Sequence, residues 1–249
     1  MYPKVSIITV TYNCESSVEQ TLLSCVNQTY ENKELIVIDG ESSDNTLSKI
    51  EKYENEIGVI ISKKDNGIFD AMNKGIRIAS GDWVIFMNAG DSFVSNTTLS
   101  ELTELLQDSA CGVIYAPHIL RYNFYEKLIN DIPFFKQNKQ YRTMGFSHQS
   151  CLVRTSLACK YGFHSDYKLS ADFKMIWSIY YEENAIFIKS TRPIAVMDDN
   201  GGETVSNYKR HLTEEFNICG YRPSIQRKIF IEIKYWEYKI KRLIKKLIY

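Results

Sequence analysis

None of the six cysteines (Cys14, Cys25, Cys111, Cys151, Cys159 and Cys219) stands in a C-x-x-C pair. That removes the spacing of a zinc site and offers no disulfide framework, so reduced thiols in a cytosolic protein are expected. Net charge is missing too. Thirty basic residues cancel thirty acidic ones, which argues against a nucleic-acid binder for the chain as a whole. No uncharged apolar run is long enough for a transmembrane helix. Met1-Tyr2-Pro3-Lys4 leads straight into an apolar strand without a charged n-region, a long h-region or a small-residue cleavage site, so no leader is expected. No internal repeat is found. The turn after the first predicted strand holds no glycine, which excludes the G-x-G-x-x-G of a dinucleotide site.

What is present is material for one sizeable core: 249 residues, 44% hydrophobic. A single α/β domain, or one domain with an appendage, is expected. Its centre is Asp82-Trp83-Val84-Ile85-Phe86-Met87-Asn88-Ala89-Gly90-Asp91, an apolar strand that stops in a small polar turn closed by one carboxylate. Three other strands precede it, at Val5–Asn13, Leu35–Asp39 and Gly58–Ser62, each followed by a helical pattern. Ser16 and Ser17 with Glu19 and Gln20 read as a capping box, as does Thr98 with Glu101. Asp44 reads as the cap of the second helix, and Gly81 as the stop of the third.

Strand and helix alternating four times predict a parallel sheet covered on both faces by right-handed crossovers. Ligands of such sheets sit outside the carboxyl ends of the strands. Here those ends carry Asn13, Asp39, Asp65, and Asn88 with Asp91. Acidic groups there suit a metal ion and base or ribose hydroxyls better than bare phosphate.

The second half changes character. Residues 121 to 145 are rich in Tyr, Phe, Asn and Lys without clear periodicity, which fits a hairpin or mobile loop, serving either sugar binding or an ordinary surface insertion. Phe146-Ser147-His148-Gln149-Ser150 leads into apolar Cys151-Leu152-Val153, and a later helix starts with Asp172 in its first turn. Strands are expected near 185–190 and 194–197, then a turn, Asp198-Asp199-Asn200-Gly201-Gly202. From Arg227 onward eight basic residues face two acidic ones, a net charge of +6, with Ile229, Ile233, Trp236, Ile240, Leu243, Ile244 and Leu247 at helical spacing. Such a helix lies either on an anionic membrane surface or on a partner subunit.

VSIITVTYN, SVEQTLLSCVNQTY, ELIVIDGESSDNT, KDNGIFDAMNKGIRIASGDWVIFMNAGD, SHQSCLVR, SADF and NGGETVS occur in an order and spacing that resemble the family 2 glycosyltransferases. These are inverting enzymes, and the likeness is to bacterial members that build capsule, exopolysaccharide or O-antigen repeat units. The resemblance covers roughly residues 4 to 205. It implies the GT-A fold, a Rossmann-like, mostly parallel central sheet with helices on both faces. It also implies a domain over 1–205, with a nucleotide-sugar-binding half (1–117) and an acceptor half (118–205), followed by a basic amphipathic helical extension over 206–249.

The roles implied fall on particular residues. Asp91 is the Mg2+ or Mn2+ ligand, or a turn cap. Thr11, Asp39, Asp65, Asp70 and Asn88 belong to the donor side, which takes a UDP- or GDP-sugar, unless Asp39 is a plain turn residue and Asn88 simply closes its turn; Lys74 and Arg77 either face the phosphates or form a solvated helix face. His148 and Gln149 line the side of a lipid-linked or oligosaccharide acceptor, or His148 is a satisfied core histidine beside an apolar strand. Asp172 is the general base, or a plain helix-start aspartate favoured by the same dipole. His118, His164 and His211 have no supporting context. Relatives usually carry Asp-x-Asp or Asp-Asp where this chain has Asn88-Ala89-Gly90-Asp91, so a nucleotide-sugar-binding subunit supporting a partner transferase is the rival expectation. The resemblance places the protein in the cytoplasm, peripheral on the inner face of the cell membrane.

Overall fold

A computed structural model describes residues 2–122, 125–130, 132–137, 142–198 and 206–248. The main sheet has seven strands. In chain order the elements that build it are β1 (Val5–Thr11), α1 (Val18–Val26), β2 (Lys33–Asp39), α2 (Thr46–Glu51), β3 (Val59–Ser62), α3 (Ile68–Ile78) and β4 (Trp83–Phe86). There follow β5 (Ser92–Phe93), α4 (Thr103–Gln107), β6 (Cys111–Tyr115), β7 (His118–Arg121), β8 (Glu126–Ile129), β9 (Cys151–Arg154), α5 (Thr155–Tyr161), α6 (Ala171–Glu183), β10 (Ile186–Lys189) and β11 (Ala195–Asp198). Two further helices, α7 (Tyr208–Ile218) and α8 (Ile225–Ile248), end the chain.

The strand order is β10-β6-β9-β4-β1-β2-β3, with β1, β2, β3 and β4 mutually parallel as expected. Strict alternation along each strand sorts two cores. Ile8, Val10, Ile36 and Ile38 pack with α3 and α6 on one face, through Met72, Ile76, Phe173 and Ile176. Val5, Ile7, Leu35 and Val37 pack with α1 and α4 on the other, through Val18, Leu22, Cys25 and Leu106. Burying a side chain of this size contributes about 1.5–3 kcal/mol, which is why helices with little intrinsic capping hold their place.

The strand that breaks the parallel pattern is β9, antiparallel to both β4 and β6. It pairs Val84 with Val153 and Ile85 with Leu152. Continued past Phe86, that register brings His148 and Gln149 beside the Asn88–Asp91 turn; a parallel strand would have left them at the opposite edge. The region expected as a hairpin or loop, 121 to 145, supplies β8 and the last residue of β7; the two pair antiparallel in a second sheet ordered β5-β11-β7-β8.

Local expectations fail at four helix ends. The side chain of Ser17 makes no capping bond to α1; its Oγ donates to the Cys14 carbonyl, and Glu19 is drawn off by Lys49 and Lys52. At the second supposed capping box a 3-10 turn over Ser100–Leu102 comes before α4, and Glu101 bonds Thr97, while Thr98 turns to Ser95. Gly81 does not end α3, which stops at Ile78. Its place is a close approach: a Cβ there would lie 2.7 Å from Ser6 Oγ and 2.8 Å from the Lys4 carbonyl. Nor is Asp44 the cap of α2: Asn45 holds that position without a side-chain bond, and Asp44, one residue earlier, accepts from the Thr46 amide at 3.0 Å.

Candidate active site

The carboxyl ends of β1, β2 and β3 are tied by one carboxylate. Thr11, Asp39 and Ser62 share a register row. Asp39 is fully buried and accepts from Thr11 Oγ1 (2.9 Å), Ser42 Oγ (2.5 Å), the Ser42 amide (2.9 Å) and Ser62 Oγ (2.7 Å). Burial pushes its pKa up, but these donors outweigh burial and the net direction is down. Every acceptor position of Asp39 is therefore filled by the protein, and a ligand donor must displace a hydroxyl to reach it. Asn13, at φ 45°, sits beside this row and links the loops after β1 and β2 through Ser42 and Ser43.

Asp65 and Asp70 lie at the start of α3. Asp65 accepts from the Gly67 amide at 2.8 Å, and Asp70 from the Asn66 amide at 3.0 Å with Lys74 at 3.5 Å. The Asn66 amide bond is the main cause holding the Asp70 pKa down, with Lys74 and Arg77 adding to it. Lys74 also donates to the Lys64 carbonyl, and Arg77 is exposed.

The turn after β4 is braced from α1. Thr21 Oγ1 donates to the Asp91 carbonyl at 2.7 Å and accepts from the Gly90 amide at 3.0 Å. Gly90 takes φ +101°, a value that L side chains rarely adopt. The result aims Asp91 at Gln149, whose Nε2 donates to Asp91 Oδ2 at 3.0 Å. Burial, with Asp198 adding to it, pushes the Asp91 pKa up to about 6; Gln149 and His148 pull it back only in part. Beside it Asn88 is 8% exposed, its Nδ2 3.3 Å from His148 Nε2, while its Oδ1 is buried without a partner.

His148 completes the cluster. Its Nδ1 stands 3.0 Å from Asp172 Oδ2, and Asp172 Oδ1 accepts from the Phe173 amide at 2.8 Å. Burial raises the Asp172 pKa, yet the His148 contact and the Phe173 amide outweigh it and the net direction is down. The sequence-derived residues thus form two groups: Thr11 with Asp39, and Asn88, Asp91, His148, Gln149 and Asp172. Asp65 lies against the first group, its Oδ2 2.6 Å from where a Cβ on Gly40, the residue after Asp39, would stand, while Asp70 stays on the α3 side with Asn66 and Lys74.

Two residues without a signal in the sequence hold Asp172 in place. Glu214 of α7, 6% exposed, accepts from the amides of Lys168, Leu169 and Ser170 at 3.1, 2.9 and 3.1 Å. His211 Nδ1 lies 3.0 Å from Ser170 Oγ, which corrects the expectation that this histidine has no context. The turn around Asp199–Gly202 lies outside the described residues.

Among the described residues no group of three or more His, Cys, Asp or Glu could hold a metal ion. What Asp91 offers is a half-buried carboxylate bonded to the neutral Gln149 amide, its pKa raised to about 6 chiefly by burial, so that a positive charge beside it would favour its ionised form. That fits a hard divalent ion that keeps waters and takes substrate oxygens, and does not fit an all-protein cage.

The family model described as Glycosyl transferase family 2 matches residues 6–160. An uncharacterized glycosyltransferase of Haemophilus influenzae is 32% identical over 130 residues, 45% of this chain and 40% of that protein. The chain matches less than half the length of the first curated relatives. Among solved structures, the mannosyltransferase PcManGT from Pyrobaculum calidifontis, in complex with GDP-Man and Mn2+, superposes with a TM-score of 0.69 at 19% identity, over 95% of this chain and 70% of that one. S. aureus TarS 1-349 in complex with UDP-GlcNAc gives 0.67 at 18%, over 96% and 73%. At such identities the likeness shows the fold, a GT-A type α/β sheet.

Proposed function

The chain belongs to glycosyl transferase family 2, and from that premise we propose that it moves a sugar from a UDP- or GDP-sugar to a lipid-linked or glycan hydroxyl, with inversion, in cell-surface polysaccharide synthesis. One observation carries this reading. Three separate segments bring Asp91 to Gln149 and Asn88 to His148 and Asp172 at the same sheet edge. That edge offers a carboxylate for a phosphate-bound cation and, a few ångströms on, a pair able to hold a proton. The solved GT-A structures with GDP-Man, UDP-GlcNAc and Mn2+ support the donor class and the metal.

In this reading residues 1–117 hold the donor. Thr11, Asp39, Asp65 and Asp70 meet base, ribose and sugar, and Asn88 Oδ1, lacking a partner, accepts from a ligand hydroxyl. Mg2+ or Mn2+ at Asp91 supplies Lewis-acid neutralisation of the departing diphosphate. Residues 118–205 serve the acceptor: Gln149 steadies Asp91, and the His148–Asp172 pair takes the hydroxyl proton.

The extension over 206–249 is assigned to an anionic lipid surface, on the cytoplasmic side of the membrane. No described helix is long and apolar enough to cross a bilayer. On α8, however, Ile225, Ile229, Ile233, Trp236, Ile240 and Leu243 are each more than half exposed. They recur at three- and four-residue steps beside lysines, an arrangement suited to lying in an interface. Arg227 is not among the lipid-facing cations. It is buried, donating to the Tyr221 and Thr213 carbonyls and to Asn217.

Thermal shift across a panel of nucleotide sugars with Mn2+ tests the core of the proposal. One donor should raise Tm and release nucleoside diphosphate when acceptor is present; no stabilisation by any donor removes the reading. The single carboxylate of the turn favours one rival, a nucleotide-sugar-binding subunit that supports a partner transferase. A donor that stabilises the chain but never releases nucleoside diphosphate selects it.

A further inference from the structure

We infer that the acceptor proton goes to Nε2 of His148, and that Asp172 is a positioning residue that fixes the imidazole in the form able to take it. The inference rests on the glycosyl-transfer reading and names the atom that reading leaves open.

The geometry constrains the protons. Asp172 is held on both oxygens, by the Phe173 amide and by His148 Nδ1. An ionised carboxylate only accepts, so the hydrogen between Asp172 and His148 sits on Nδ1. A neutral imidazole protonated at Nδ1 has a bare lone pair at Nε2. The atom facing Nε2, at 3.3 Å, is the amide nitrogen of Asn88, which donates and cannot accept. The contact is long for a hydrogen bond to nitrogen, so an acceptor hydroxyl displaces it at small cost.

The alternative, a proton moving directly to Asp172, is weaker on chemical grounds. The contacts that hold Asp172 also depress its basicity, and proton transfer is most effective when the base is matched to the operating pH. The loop before α6 is clamped by Glu214 and His211, which suits a group that must orient a ring rather than move.

The step balances. The acceptor O–H bond breaks as its oxygen bonds the anomeric carbon. The bond from that carbon to the diphosphate oxygen breaks, and its electron pair leaves with the nucleoside diphosphate. The proton rests on Nε2, giving an imidazolium whose Nδ1–H still faces Asp172, and water takes it before the next turnover. The titratable groups around the ring are Asp172 from α6, His211 from α7 acting through Asp172, Asp91 after β4, and Asp198 at the end of β11 acting through Asp91.

Long-range 1H–15N correlation on the 15N-labelled full chain reads the tautomer directly, without turnover. His148 should carry its hydrogen on Nδ1, and Asp172→Asn should abolish that preference. A wild-type ring protonated on Nε2 alone overturns the inference, whatever the chain's activity. With a donor that stabilises the chain, His148→Gln should lower kcat by about 100-fold or more with donor KM held; an unchanged kcat overturns it equally. If no nucleotide sugar binds, the glycosyl-transfer reading falls and the proton assignment on His148 falls with it. If a donor binds and the tautomer is wrong, only the assignment to His148 falls.

Discussion

The sheet edge and the last helix break the ordinary rule of burial in opposite directions. At the edge, polar groups are buried: Asp39 at 0%, Asn88 at 8%, Glu214 at 6%. On α8, apolar groups are exposed, Ile225 at 77% and Trp236 at 60%. Asp39 and Glu214 are fully supplied with donors by the protein itself, whereas Asn88 Oδ1 has no partner and Asp91 has one neutral donor and a raised pKa, the features on which the proposed ligand site rests. The same logic applies to the stripe on α8. Its other face is satisfied, with Ile231 against Leu212 and Phe216 and Tyr238 stacked on Tyr208 at 4.4 Å. Incomplete satisfaction marks what each region is built to meet.

Substitution can break this contrast in a definite order. Asp91→Asn should reduce donor turnover by about three orders of magnitude, because the leaving group loses several kcal/mol of charge stabilisation; steady-state kinetics with Mn2+ checks it. On α8, Ile233→Glu with Trp236→Glu should weaken binding to anionic vesicles by about 100-fold, given about 1.5–3 kcal/mol per buried side chain. Co-sedimentation measures this, and the opposite outcome, a second copy of the chain as the occupant, would show as loss of dimer in ultracentrifugation with vesicle binding unchanged.

Smaller effects sharpen the comparison at the edge. Glu214→Gln should cost about 1–3 kcal/mol in denaturant unfolding, since three backbone amides lose an ionised acceptor. Asp91→Asn should move stability the other way. The Asp91 pKa is raised in the folded state, from 3.8 to about 6, so folding favours its protonated form. Its contribution is fully present below about pH 4 and is lost as pH rises through 6. The metal-free variant should therefore be about 1–2 kcal/mol more stable than the parent at pH 7, with the gap closing toward pH 4. A divalent ion with nucleotide should stabilise only the parent.

Periodicity in the sequence was enough for β1 to β4, their helices and the polar groups at their carboxyl ends, because apolar alternation and β-branching are local. The site was legible as a set of residues but not as a set of contacts. His148 meets Asp172 only because β9 runs against β4, and nothing local in Cys151-Leu152-Val153 states its direction. Glu214 and His211 were invisible for a similar reason: a glutamate that caps a loop 44 residues earlier looks like any helical glutamate. The capping boxes misled because Lys49, Lys52, Thr97 and Ser95 compete for the same side chains, and a motif carries no record of its competitors.

The clasp that Glu214 makes on residues 168–170 has a consequence for the order in which the chain matures. The matched family segment ends at residue 160, and the groups that clamp the loop before Asp172 come later. During synthesis the sheet and its donor edge can assemble while Asp172 still has no fixed partner behind it. The loop before Asp172 is clamped only when α7 arrives and its carboxylate gathers three amides. The segment that completes this clamp is followed directly by α8 with its exposed apolar stripe.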